Sequence, residues 1–103
     1  MPRPRVTFKL FVDDVRPRPT ENGPWLICRD GQEAIEFIDL FWDNLDLISL
    51  DHDLGEGPTG YDVAKWMEEQ VIVHGRKPIQ IEVHSANSVG RDNILAAARS
   101  MWV

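Results

Sequence analysis

The chain has 103 residues, 43% of them hydrophobic and 27% charged, with a formal net charge of −6. That length supports one continuous core, so a single domain over residues 1–103 is expected. No apolar run reaches the roughly 20 residues that cross a bilayer, and the acidic balance opposes non-specific DNA binding, which draws on many Lys and Arg contacts to phosphate.

The opening Met1-Pro2-Arg3-Pro4-Arg5 is basic, but a strand-like run follows it and no small-residue cleavage site, so no signal peptide is expected. Apolar alternation over Val6–Val12 predicts the first strand. From Asp14 to Pro24 the chain carries three prolines and a glycine, which predicts an ordered loop in place of a regular first helix. Trp25–Cys28 reads as a second strand. Cys28 is the single cysteine and follows apolar Leu26 and Ile27, which fits a buried thiol in a reducing compartment, by default the cytoplasm.

Asp30 with Glu33 forms a start resembling a capping box, and Ala34, Ile35, Ile38, Phe41 and Trp42 give a helical apolar stripe. Leu47–Leu50 predicts a third strand. A second helix is expected from about Gly60 to Val73, with Thr59 and Asp62 at its start, Ala64, Met67 and Val71 on one stripe, and Gly75 beyond its end. Ile79–Val83 alternates apolar residues with Gln80 and Glu82, the pattern of a half-exposed edge strand. Ile94, Leu95, Ala98, Met101 and Trp102 give a third helix. Trp25, Trp42, Trp66 and Trp102 read as packing residues. Alternating strands and helices predict a parallel sheet with right-handed crossovers.

In such sheets ligands bind beyond the carboxyl ends of the strands. The first strand ends in Asp13-Asp14, the second in Arg29-Asp30, the third in Asp51-His52-Asp53 and the fourth in His84-Ser85-Ala86-Asn87. Asp13, Asp14 and Asp51 together suit a hard cation such as Mg²⁺, because three converging carboxylates repel unless a cation or an arginine offsets them. His84 is the favoured proton-transfer group, with Asp51 and Asp53 beside it. His52 has opposite parity to Asp51 and Asp53, so it is either a second catalytic histidine or a brace for the loop. His74, beside Gly75, reads as surface. Ser85 and Asn87 precede the third helix and either cradle a phosphate at its N-terminus or simply cap it. Arg16, Arg29 and Arg91 lie near these loops and suit phosphate recognition. A direct His84–Ser85 dyad is disfavoured, since adjacent strand residues face opposite ways.

These residues resemble the receiver domain of two-component signalling: an acidic pair after the first strand, Leu50-Asp51, Gly60-Tyr61-Asp62-Val63 and Ser85. The fifth strand with its lysine and the fifth helix are absent, and the step to Gly60 differs by one residue. The chain is more similar to the cyclic-phosphate-processing receiver-like family. The resemblance rests on Phe11-Val12-Asp13-Asp14-Val15-Arg16, Ile48 to Gly55, Thr59 to Ala64 and Val83-His84-Ser85-Ala86-Asn87-Ser88-Val89-Gly90-Arg91, with Ser88 where that family commonly has proline.

The resemblance implies a small three-layer flavodoxin-like α/β fold, a truncated four-stranded parallel sheet in the order 2-1-3-4 with about three helices, lacking a regular first helix and a fifth strand. It implies hydrolysis of a cyclic phosphate on a nucleotide or an RNA end. In that reading Asp13, Asp14 and Asp51 bind Mg²⁺ or position water, His84 moves a proton, and Arg16, Arg29, Ser85, Asn87 and Arg91 hold the phosphate. The alternative is a non-catalytic nucleotide-sensing or protein-interaction module, with the fourth-strand edge open to a partner or a second copy. A phospho-accepting receiver is a third reading, weakened by the missing lysine.

Overall fold

The computed structural model describes residues 6–102; the reading of Met1–Arg5 lies outside them. Four strands, β1 (Phe8–Val12), β2 (Trp25–Cys28), β3 (Leu45–Leu50) and β4 (Gln80–Val83), form one sheet in the order β2-β1-β3-β4. All three pairings are parallel. The helices are α1 (Gly31–Phe41), α2 (Gly60–Ile72) and α3 (Ser88–Ser100), with a short 3-10 turn at Trp42–Asn44. Among the described residues the strand order and the three helices match the expectation.

Local chemistry sets the helix starts. Asp30 caps α1 by accepting from the Glu33 N–H, while Glu33 reaches back to the Arg29 N–H. Thr59 and Asp62 form a reciprocal capping box on α2. Asn87 caps α3 by accepting from the Gly90 N–H.

Period-two alternation divides the sheet into two faces. Leu10 and Val12 of β1, Cys28 of β2 and Ile48 and Leu50 of β3 turn to the helices and join one core with Ala34, Ile38, Val63, Ala64, Met67, Ile94, Ala97 and Ala98. The helices stand side by side over that face, α2 between α1 and α3. The second face carries Lys9, Phe11, Trp25, Leu47, Ser49 and Glu82. No helix covers it among the described residues. The proline-rich segment from Asp14 to Pro24 fills part of this third layer, held by Trp25 Nε1 donating to the Glu21 carbonyl and by Arg18 Nη1 reaching the Trp25 carbonyl.

One packing expectation is corrected. Trp42 is buried, with Trp66 edge-on against it, but Trp102 is 60% exposed. The buried stripe of α3 is Ile94, Ala97 and Ala98, continued by Met101, and Trp102 falls on its flank.

Candidate functional site

The strands deliver their polar ends in register. Val12, Leu50 and Val83 lie side by side in the sheet, so the next residues, Asp13, Asp51 and His84, form a row just beyond it. Backbone bonds continue the ladder through that row, from Asp51 N–H to Val12 O and from His84 N–H to Leu50 O, both 3.0 Å. Parity puts all three side chains toward the second face, and one ligand-type atom from each lies within 4.8 Å of the others.

Asp13 is fully buried, and both of its carboxylate oxygens are hydrogen-bonded. One carboxylate oxygen accepts from the Val15 and Arg16 N–H groups at 2.9 and 2.8 Å. The other meets His84 Nε2 at 3.0 Å, with Arg16 Nε 3.8 Å away. Burial alone would raise the Asp13 pKa, but the bonds from Arg16, Val15 and His84 outweigh it and hold the carboxyl below its ordinary value.

His84 is gripped on both sides. Its Nδ1 lies 2.7 Å from Ser49 Oγ, and Phe11 lies flat on its ring. Ionised Asp13 only accepts, so the proton between them belongs to Nε2. The Ser49 hydroxyl then donates to Nδ1 of a neutral ring, or accepts from it if the ring is charged. Ser49, His84 and Asp13 have the membership of a hydrolytic triad, but Ser49 is 3% exposed, so no substrate reaches its oxygen in this arrangement.

Asp51 differs from both. It is half-buried and makes no side-chain hydrogen bond or ion pair among the described residues. Its carboxylate is the one member of the row with its acceptors free.

The remaining predicted residues fall into separate places. Asp14 and Asp53 are exposed and outside the convergent group. The His52 ring lies against Gly90 of α3, and its Nδ1 is enclosed without a hydrogen bond, which gives it the position of a brace. Ser85 Oγ accepts from the Asn87 N–H, and Asn87 Oδ1 caps α3. Arg16 is the arginine at the site, its Nη1 donating to the His84 carbonyl. Arg29 Nη1 donates to the carbonyls of Asp13 and Arg16 and so pins the loop from below. Arg91 is exposed on the first turn of α3.

Ser49 and Phe11 were not singled out from the sequence. A signal existed for Ser49: it is a polar residue within the apolar run Leu47–Leu50, and it shares parity with Asp51. Phe11 reads as core in any sequence, and only the fold places it on an imidazole.

Residues 8–100 match the family described as the Cyclic-phosphate processing Receiver domain. No curated protein matches the chain. A solved chain that fuses the trimeric coiled coil of yeast Spc42, amino acids 181–211, to another structure overlays 92% of this chain with a TM-score of 0.55 and 19% identity. This chain spans 62% of that fusion, and the likeness is one of fold.

Proposed function

The chain belongs to the Cyclic-phosphate processing Receiver domain family, and from that premise we propose that it hydrolyses a cyclic phosphate, on a nucleotide or an RNA terminus, at the row formed by Asp13, Asp51 and His84. The observation that carries the reading is the free carboxylate of Asp51 beside the Asp13–His84 pair, on a rim that also holds the Arg16 guanidinium.

Opening a cyclic phosphate consumes one water. A bond forms between the water oxygen and phosphorus, one ring P–O bond breaks, and the freed sugar oxygen takes a proton. Asp51 is placed to accept the proton of the attacking water. His84, in its charged form, gives its Nε2 proton to the leaving oxygen as its bond to Asp13 opens, and the ring keeps its Nδ1 proton, hydrogen-bonded to Ser49 Oγ. The proton on Asp51 then returns to His84, so the sum is water plus cyclic ester to monoester. Arg16 offsets the phosphate charge, and the Ser85 hydroxyl keeps a hydrogen to donate. Asp13 and Phe11 orient the imidazole.

Asp13, Asp51 and His84 also have the donor set of a divalent cation site. Two carboxylates suit Mg²⁺, and the imidazole nitrogen favours Mn²⁺ over it. A cation held there would neutralise charge on the phosphate. It would compete with the Asp13–His84 bond, which makes metal dependence measurable.

The test is to incubate the protein with 2′,3′-cyclic and 3′,5′-cyclic nucleotides and with RNA ending in a cyclic phosphate, with Mg²⁺, with Mn²⁺ and with chelator, following products by phosphorus NMR. Conversion to a monoester that is lost in Asp51→Asn and His84→Ala is the expected result. No turnover of any of these under any metal condition overturns it.

One observation favours a second reading. Both ring nitrogens of His84 are engaged inside the protein, as suits a rigid sensing pocket. Shifted phosphorus resonances without products would select a nucleotide-binding module instead.

A further inference from the structure

A second place in the fold combines an aromatic ring, two cations and a cavity. The Trp25 indole is half-buried and fixed: Nε1 donates to the Glu21 carbonyl at 2.8 Å, and Phe11 stands edge-on to it with centroids 6.2 Å apart. Between this ring and the returning loop lies a cavity of about 290 Å³, lined by Arg18, Pro19, Thr20, Gly23, Pro24 and Trp25. Lys9 Nζ stands 5.6 Å from the indole centroid. Arg18 is exposed, and its guanidinium makes one long contact among the described residues, 3.4 Å from Nη1 to the Trp25 carbonyl, so most of its donors remain for a ligand. The acidic balance of the chain does not extend here. Residues 6–29 set Lys9, Arg16, Arg18 and Arg29 against Asp13, Asp14 and Glu21, and Asp13 is buried with its oxygens bonded. Glu82, on the same face of the sheet, belongs to β4 at the opposite edge from β2.

This pocket and the Asp13–Asp51–His84 row are neighbours. Ring to ring, Trp25 reaches Phe11 in 6.2 Å and Phe11 reaches His84 in 4.3 Å. Arg16, whose Nη1 donates to the His84 carbonyl, is two residues from Arg18, so their Cα atoms lie within about 7 Å. Two arginines at that spacing, one at each place, suit two phosphates joined by one sugar. The aromatic ring beside them suits the base that the sugar carries.

We propose that the Trp25 pocket is a base and 5′-phosphate subsite for the ligand of the row. The base of a terminal nucleotide stacks on Trp25, its 5′-phosphate meets Arg18 and Lys9, and its 2′,3′-cyclic phosphate sits at Asp51, His84 and Arg16. The inference rests on the hydrolytic reading for the cyclic ester and names the substrate class, the 3′ end of an RNA strand. A 3′,5′-cyclic nucleotide has its 5′ oxygen inside the ring and one phosphate in all, so it occupies the row and leaves Arg18 without a partner.

Titration calorimetry with uridine 3′-phosphate and uridine 3′,5′-bisphosphate tests the subsite. Neither ligand contains a cyclic ester, so binding is read apart from turnover. The bisphosphate should bind about tenfold or more tighter, the worth of a charge-assisted hydrogen bond. Arg18→Ala should bring the two affinities together. Trp25→Leu should weaken both ligands alike by about tenfold, and Trp25→Phe, which keeps a ring, should restore most of that loss. Circular dichroism checks that each variant folds. Equal affinities in the parent chain, or no binding of either ligand, overturn the proposal. So does a preference for the bisphosphate that survives Arg18→Ala, or a Trp25→Leu variant that binds both ligands as the parent does. If Trp25→Leu fails to fold, the ratio of affinities in Arg18→Ala decides. Hydrolysis is judged separately. Turnover of uridine 2′,3′-cyclic phosphate with no effect of a 5′-phosphate removes the subsite alone, and a preference for the 5′-phosphate without turnover removes the hydrolysis alone.

Discussion

Phe11 lies against the His84 ring with centroids 4.3 Å apart and planes 9° apart, although 73 positions separate them in the chain. The stack closes one side of the imidazole, Ser49 and Asp13 hold its two nitrogens, and Trp25 stands edge-on to the same Phe11. The second face of the sheet is thus organised around one histidine. His84 both ties Phe11, Ser49 and Asp13 together on that face and belongs to the candidate site.

Asp13 should be the most costly polar residue to remove. Asp13→Ala leaves the Val15 and Arg16 N–H groups and the His84 ring without their acceptor, a loss of about 3 kcal/mol. Urea unfolding followed by circular dichroism measures it. The carboxyl pKa is lowered in the folded state, so its contribution is present above the unfolded value near about 3.9 and is lost as pH falls through the lower folded one. The urea midpoint should therefore drop on acidification below about pH 4, and Asp13→Asn should show a shallower drop. An equal acid response in both chains would contradict the assignment.

Asp51 should behave in the opposite way. Its side chain has no hydrogen-bond or ion-pair partner among the described residues, so Asp51→Asn should leave the unfolding free energy within about 0.5 kcal/mol of the parent. The same substitution should abolish turnover of a cyclic phosphate. A variant that stays active while losing stability would move Asp51 from the site into the scaffold.

Gly60 opens α2, and a helical Gly→Ala change ordinarily stabilises by up to about 1 kcal/mol. Here an added Cβ would stand 2.0 Å from the Asp51 carbonyl oxygen, a backbone atom that cannot step aside. Gly60→Ala should destabilise by about 2 kcal/mol or more. It should also lower activity, because the displaced carbonyl belongs to Asp51. A raised melting temperature would show that the loop between β3 and α2 is softer than this packing implies.

Cys28 should be inert in the native protein. Burial pushes its thiol up to about 12, and the nearby Glu33 charge adds to the effect. Little thiolate is then present at pH 8. A disulfide-exchange dye should label no thiol per native chain and one per chain in urea. Rapid native labelling would mean that the end of β2 opens.

What the sequence determined by itself is what local rules control. Alternation with period two marks the strands and makes β4 an edge, paired Asp30/Glu33 and Thr59/Asp62 mark two helix starts, and three prolines remove a helix after β1. Parity sets His52 opposite Asp51 and Asp53, and Ser85 opposite His84, before any coordinates. The tertiary structure decided which atoms meet. Arg16, Arg29 and Arg91 are equivalent as sequence, yet one reaches the site, one clamps carbonyls beneath it and one faces solvent, because a long flexible side chain takes its place from whatever acceptors the fold brings near. Ser49 became the partner of His84, and Trp102 was left on a flank, for the same reason: register between strands and the rotation of a helix on a sheet are set by packing across the whole core, and no local segment carries that information.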